Sequence, residues 1–185
     1  MNADLRVLAG KYKGRKLVSP LSKLTHPMGS REKNALFNML TSYLADATVL
    51  DAYAGSGALG VEALSRGAKS VVFVEKSPKI SAVIRQNLTN LALECPIFTL
   101  DIAKFAENPD FRGYFSLVLA DPPYDGFRKE EITLLVNTLQ LDGILALSFS
   151  SSIETPTFSG LELLTTRTYA GAGIAIYRKT TSVDV

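Results

Sequence analysis

From Thr48 to Ser148 the chain alternates short apolar runs of β type with segments whose apolar residues return at helical spacing, a pattern that few folds satisfy. Residues 48–51, 70–75, 97–100, 116–120 and 143–148 read as strands. Between them lie a helix through Leu59, Ala63 and Leu64 that stops at Gly67, and a helix opened by Ser77-Pro78 with Ile80, Val83, Ile84, Leu88 and Leu91 on one face. A short helix from Ile102 and a helix carrying Ile132, Leu135, Val136 and Leu139 complete the series. Links this short require right-handed crossovers, so the strands form a parallel sheet with helices on both faces. Ahead of this unit, Ser30 is expected to cap a helix with Leu36, Met39, Leu40, Tyr43 and Leu44 along one stripe. Behind it, residues 161–169 and 174–178 flank Gly171-Ala172-Gly173 and read as an antiparallel hairpin at the sheet edge. The length of 185 residues suits one domain. Its 46% hydrophobic and 21% charged content excludes disordered and fibrous classes.

Gly55-Ser56-Gly57-Ala58-Leu59-Gly60 is a G-x-G-x-x-G run between an expected strand and an expected helix, the setting in which this spacing binds a nucleotide-type cofactor. Gly55 and Gly57 suit that task because backbone without side chains turns sharply and approaches a ligand closely. Glu75 stands 20 residues after Gly55, where a carboxylate accepts from both hydroxyls of a ribose. These features fit a nicotinamide cofactor and S-adenosylmethionine equally, and a tight turn without ligand also produces a glycine run. Asp51 tips the balance. A carboxylate at the end of the first strand suits the cationic amino-acid end of S-adenosylmethionine and would repel a pyrophosphate. Size argues the same way, since a dehydrogenase usually brings a second substrate domain. Asp101, just past the third strand, either meets the adenine amino group or caps the helix after it.

At the end of the fourth strand the chain reads Asp121-Pro122-Pro123-Tyr124, outside the carboxyl edge of the sheet where open α/β folds place their chemistry. The arrangement suits methylation of an exocyclic amine on a base. The nitrogen lone pair of such an amine is delocalised into the ring and must be localised. Asp121 is suited to accept one amine N–H and the Pro122 carbonyl the other, holding nitrogen in line with the methyl group. Pro122 and Pro123 form a rigid turn without donors of its own. Tyr124 offers a face on which an extruded base stacks.

Charge is uneven along the chain. Residues 1–33 hold eight bases against two acids, a net +6, and the remainder holds twelve against sixteen, a net −4. A basic arm of this kind is either a phosphate-tracking patch or a solvated face, and charge alone does not choose. In residues 5–18, alternating Leu5, Val7 and Ala9, a glycine turn and Arg15-Lys16-Leu17-Val18 read as a small hairpin closed by Pro20. One cysteine, Cys95, and one histidine, His26, allow neither an internal disulfide nor a zinc set of the common kind, so no metal is expected and Cys95 reads as a small core hydrophobe. The chain begins without a signal-type apolar run and has none long enough to span a bilayer, hence a cytoplasmic protein is expected.

With residues 49–60, Glu62-Ala-Leu-Ser-Arg66 and Asp121-Pro-Pro-Tyr124, the sequence resembles the bacterial 16S rRNA (guanine-N2)-methyltransferases of the RsmD type over nearly its whole length. Residues 6–17 are similar to that family's basic hairpin, 36–40 to its first helix and 169–178 to its last hairpin. The resemblance implies a Rossmann-like class I S-adenosylmethionine-dependent methyltransferase with a seven-stranded mixed sheet. Asp51, Gly55, Gly57, Glu75 and Asp101 would hold S-adenosylmethionine, and Asp121, Pro122, Pro123 and Tyr124 the guanine. Arg6, Lys11, Lys13, Arg15, Lys16, Arg31 and Lys33 would serve the RNA. The chain then divides into a basic extension, residues 1–29, and a methyltransferase domain, residues 30–185. Its partner would be small-subunit rRNA or the assembling 30S subunit, with no membrane and no obligate protein partner. The sequence departs from the family where Arg-Pro-Thr is replaced by His26-Pro27-Met28 and a glutamate by Asn34, near the expected target base. His26 reads as a surface or positioning residue rather than a general base. Since the glycine and Asp-Pro-Pro-Tyr motifs are shared more widely, an N6-adenine DNA or RNA methyltransferase is the runner-up. A non-catalytic nucleic-acid-binding module and a nicotinamide-cofactor binder come after it.

Overall fold

Five apolar runs become strands, β1 (Thr48–Asp51), β2 (Ser70–Val74), β3 (Ile97–Phe98), β4 (Phe115–Ala120) and β5 (Leu139–Ser150). They are followed by β6 (Leu161–Tyr169) and β7 (Ala172–Lys179). The helices are α1 (Ser30–Met39), α2 (Ala58–Ser65), α3 (Pro78–Asn90), α4 (Ile102–Ala106) and α5 (Lys129–Val136). The computed structural model describes residues 5–20, 28–169 and 171–180. All seven strands join one sheet in the order β3-β2-β1-β4-β5-β7-β6. β1 to β5 pair in parallel, and β7 is antiparallel to both β5 and β6.

Alternate residues of each central strand point to opposite faces and so feed two separate cores. Val49, Val71, Phe73, Leu117 and Leu119 pack with Leu36 and Phe37 of α1, Val61 of α2 and Ile84 of α3. On the other face Leu50, Val72, Val74, Val118 and Ala120 pack with Ile102 and Phe105 of α4 and Ile132 and Leu135 of α5. Being covered twice explains why these strands are continuously apolar. Strand order reverses between β1 and β4, and a crevice opens outside their carboxyl ends at such a switch point.

Several local expectations shift. The N-cap of α1 is Gly29, with Ser30 as the first helical residue and no side-chain cap. The helix stops at Met39 and passes into a 3-10 turn, yet Leu36, Leu40 and Leu44 remain buried as one stripe, joined by Phe37. β3 is only two residues long, and β5 extends beyond residues 143–148 at both ends. Of the terminal hairpin, β7 lies inside the sheet and β6 at its edge. The apolar run Ile174-Ala175-Ile176-Tyr177 needs cover on both sides, whereas Thr165, Thr166, Arg167 and Thr168 suit an edge strand facing water. Near the amino terminus Val7 N–H donates to Arg15 O (3.1 Å) and Leu17 N–H to Leu5 O (2.8 Å). This pairing leaves one bridge, Arg6 to Lys16, instead of two full strands. Val7 and Leu17 are buried in the core that contains α1, α2 and α3. Cys95 is half-buried, and burial raises its thiol pKa. Among the described residues no helix is long and apolar enough to cross a membrane.

Candidate functional site

The loop from Ala52 to Gly57 is tied to strands on both sides, Ala52 N–H donating to Leu119 O (2.9 Å) and Ala54 N–H to Val74 O (3.0 Å). Gly55 and Gly57 both have positive φ, 53° and 78°, and Gly57 caps α2 in the left-handed region. Gly60 has another purpose: a Cβ there would come within 2.3 Å of the Phe73 ring, so this glycine lets α2 lie against β2. Asp51, at the end of β1, is 1% exposed and accepts from Gly60 N–H (2.8 Å). Burial raises its pKa to about 7; the Gly60 bond opposes the rise, and the neighbouring charges of Asp121 and Glu75 add to it. Glu75 lies just past β2, where one carboxylate oxygen accepts from Gly55 N–H (3.1 Å) and the other from Ser77 N–H (2.8 Å). It therefore links the glycine loop to the start of α3 while keeping lone pairs for a ligand. Asp101 is exposed and caps α4 through Ala103 N–H (2.9 Å). Tyr53, which no sequence motif marks, donates to Glu131 on α5 (2.9 Å), and burial raises its phenol pKa.

Asp121 emerges from β4 beside the end of β1. Burial raises its pKa to about 6, opposed by the neighbouring Ser148 hydroxyl. Pro122 is buried and Pro123 exposed, and the Pro123 carbonyl accepts from Gly126 N–H (2.9 Å). Tyr124 is 40% exposed, with its hydroxyl 3.0 Å from Ser148 Oγ. Its pKa is raised by burial, against the Ser148 bond and with the help of the Asp121 and Glu32 charges. Ser148 is a serine at the end of a buried strand, and no motif in the sequence singles it out.

Arg6 is half-buried and donates to Gly14 O (3.0 Å); Lys11, Lys13, Arg15, Lys16 and Arg31 are exposed. Arg15 also reaches Asn90 O (2.9 Å) on α3. Lys33 is the correction to this set. It is 2% exposed, donates to Arg6 O (2.8 Å) and pairs with the buried Glu62 carboxylate (3.4 Å), so it cannot meet a phosphate. Its burial lowers its pKa. Glu62 also accepts from Leu8 N–H (2.8 Å), Ala9 N–H (3.0 Å) and Arg66 Nε (2.8 Å). Ser65 donates to Ala9 O and accepts from Tyr12 N–H (2.9 Å). A Cβ on Gly10 would lie 1.7 Å from Ser65 O, so only glycine permits this close approach. Asn87 of α3 binds Val18 N–H (2.7 Å) and donates to Val18 O (3.0 Å) and Ser56 O (2.9 Å), joining the basic extension to the glycine loop.

The family model described as Conserved hypothetical protein 95 matches residues 5–178. Ribosomal RNA small subunit methyltransferase D of Escherichia coli is 32% identical over 161 residues, covering 86% of this chain and 79% of its own. The chain belongs to the ribosomal RNA small subunit methyltransferase D family. The Bacillus subtilis protein YlbH is 33% identical over 187 residues, 95% of this chain and 99% of that one. The solved structure of Escherichia coli YhhF superposes with a TM-score of 0.84 at 28% identity, covering 95% of this chain and 97% of the other. The fold is accordingly the Rossmann-like fold of S-adenosylmethionine-dependent methyltransferases, with the seven-stranded mixed sheet that the resemblance implied. Within the family's Glu62-Ala-Leu-Ser-Arg66 motif, Glu62 and Ser65 are the residues that fasten the basic extension to α2. Of the departures from the family pattern, His26 and Pro27 lie outside the described residues, while Met28 packs against the α1 core. Asn34 is exposed, its side-chain oxygen 3.5 Å from an Arg66 nitrogen.

Proposed function

We propose that this chain transfers a methyl group from S-adenosylmethionine to the exocyclic N2 amine of a guanine in small-subunit rRNA, as naked RNA or in an assembling 30S subunit. The observation that carries this reading is the meeting of Asp51, Glu75 and Asp121 at the carboxyl ends of three adjacent strands, close enough that Glu75 and Asp121 both raise the Asp51 pKa. A cationic, hydroxyl-bearing ligand fits this acidic crevice, and a pyrophosphate does not. S-adenosylmethionine supplies an electrophilic methyl group on a sulfonium. Asp51 would face its cationic amino-acid end, Glu75 would accept from the ribose hydroxyls, Asp101 would meet the adenine, and Gly55 and Gly57 would allow backbone approach. Asp121 and the Pro122 carbonyl would accept hydrogen bonds from the two amine N–H groups, turning the nitrogen lone pair toward the methyl carbon, while Tyr124 would stack on the base. The new N–C bond forms as the S–C bond breaks. The positive charge passes from sulfur to nitrogen, which then loses a proton to solvent. Incubating small-subunit particles and protein-free rRNA with labelled cofactor, then identifying the nucleoside, tests the reading. N2-methylguanosine is expected; N6-methyladenosine would move the enzyme to the adenine class.

Cofactor affinity is expected to depend on pH through Asp51. With a free-state pKa of about 7, this carboxyl is mostly neutral at pH 6 and must ionise to receive a cation. A cation beside it lowers the bound-state pKa, so binding releases a proton and tightens as pH rises through 7. The difference between pH 6 and pH 8 approaches roughly tenfold for one proton released. Calorimetry in buffers of different ionisation enthalpy measures both quantities. Asp51→Asn should bind more weakly and lose this dependence; a parallel slope in the variant would remove Asp51 from the cofactor site.

The exposed part of the extension should govern RNA binding without touching the cofactor. Replacing Lys11, Lys13, Arg15 and Lys16 with Ala is expected to flatten the salt dependence of RNA affinity. The change is up to about 0.9 in log–log slope for each duplex phosphate that is no longer neutralised, and about 0.7 in single strands. Filter binding across a salt series measures the slope, and an unaltered one would identify the arm as solvated surface.

A further inference from the structure

We infer that Ser148 is a positioning residue of the acceptor site, its hydroxyl joining the Tyr124 phenol to the Asp121 carboxylate so that the stacking ring and the amine acceptor are held as one unit. The inference rests on the acceptor-site reading proposed above and adds to it a residue outside the Asp-Pro-Pro-Tyr motif. Three features of the fold carry it. First, β4 and β5 pair with Ala120 opposite Leu147, which brings the next residues along each strand, Asp121 and Ser148, side by side. Second, β5 lies between β4 and β7, with Ser148 paired to Ile174, so its backbone is fixed from both sides. Third, Ser148 is 3% exposed and its Oγ is 3.0 Å from Tyr124 Oη.

Proton counting gives the chain of bonds a direction. A serine hydroxyl has one proton, and an ionised carboxylate only accepts. When Ser148 donates to Asp121, its oxygen must accept from Tyr124, giving Tyr124 O–H to Ser148 Oγ and Ser148 O–H to Asp121. Burial holds the phenol above its usual pKa, so its proton remains available to donate. Two bonds pointing toward one negative charge strengthen each other in a site of low dielectric. Ser148 also opposes the burial that raises the Asp121 pKa. The other charged groups around the relay are Asp51 at the end of β1, whose pKa responds to Asp121, and Glu32 of α1, which acts on Tyr124. At Asp121 itself burial favours the neutral carboxyl, and the Ser148 proton favours the ionised one. A base stacked on Tyr124 therefore meets a carboxylate whose position and charge are set through the same hydroxyl.

The test uses the full chain with 13C-labelled aspartate, following the Asp121 carboxyl by NMR across pH in the parent, Ser148→Ala, Ser148→Thr and Tyr124→Phe, each first checked for an unchanged melting temperature. Asp121→Asn assigns the resonance. Ser148→Ala is expected to raise the Asp121 pKa by about one pH unit. Tyr124→Phe should raise it less, and Ser148→Thr, which keeps a hydroxyl, should return it to the parent value. This readout needs no substrate, so it stands even if the parent fails to methylate rRNA, a result that would overturn the proposed function instead. Single-turnover methylation at saturating cofactor and RNA then supplies the second readout. The acid limb of the Ser148→Ala profile should move up with the NMR value, with cofactor affinity unchanged. An Asp121 pKa identical in the parent and in a well-folded Ser148→Ala would overturn the inference. So would a Thr variant that titrates like the Ala variant.

Discussion

Asp121→Ala is expected to slow methyl transfer by about 10²- to 10³-fold, the usual cost of removing one preorganised electrostatic interaction with a charge that develops in the transition state. Cofactor affinity should change little if, as proposed, the carboxylate faces the acceptor amine. Asp121→Asn separates the two contributions of the side chain. Its amide oxygen still accepts a hydrogen bond, so partial activity points to positioning, and near-complete loss points to the negative charge. The pH profile adds a further constraint. With a pKa of about 6 in the free protein, Asp121 is ionised at neutral pH and protonated below it, so activity should fall as pH drops through 6. The measurement is single-turnover transfer with saturating cofactor and RNA. Parent-like speed in Asp121→Ala would defeat the proposed mechanism.

Glu62→Ala should be the most destabilising single substitution at the junction of the basic extension and the body. It removes the acceptor for Leu8 N–H, Ala9 N–H and Arg66 Nε, and leaves the Lys33 ammonium buried at 2% exposure without its carboxylate. Breaking one side of a buried ion pair costs about 3–5 kcal/mol. In a chain of this size that corresponds to a fall in melting temperature of roughly 6–20 °C. Glu62→Gln keeps an acceptor and should lie between. The double variant Glu62→Gln/Lys33→Met should recover part of the loss, because the uncompensated charge is gone. Calorimetric melting of the four proteins checks the order, and a Glu62→Ala transition within about 2 °C of the parent would mean that the pair contributes nothing net.

The parallel sheet and the three strand-end acids were legible because their signals are local. Period, turn residues and the run Gly55 to Gly60 define strand, turn and helix within a few positions, and a parallel sheet then brings Asp51, Glu75 and Asp121 to one edge. The order β7 before β6 follows from which strand is apolar on both faces, a distinction that the hairpin pattern alone does not make. Charge was less legible. Lys33 sits in a basic stretch and reads as a surface cation, yet it is buried by Glu62, 29 positions later. Whether a charged side chain lies in water or in the core depends on whether folding brings it a partner, and the partner here is on another helix. The same holds for Asn87, which grips Val18 from 69 residues away, and for Ser148, which reaches Tyr124 across 24. A serine or asparagine bears no mark of burial in its own sequence neighbourhood. Sequence determined which residues stand at the carboxyl ends of the strands, since topology follows from patterned burial. The tertiary structure alone decided which polar groups hold them there, since hydrogen bonds between distant segments form only after the chain has folded.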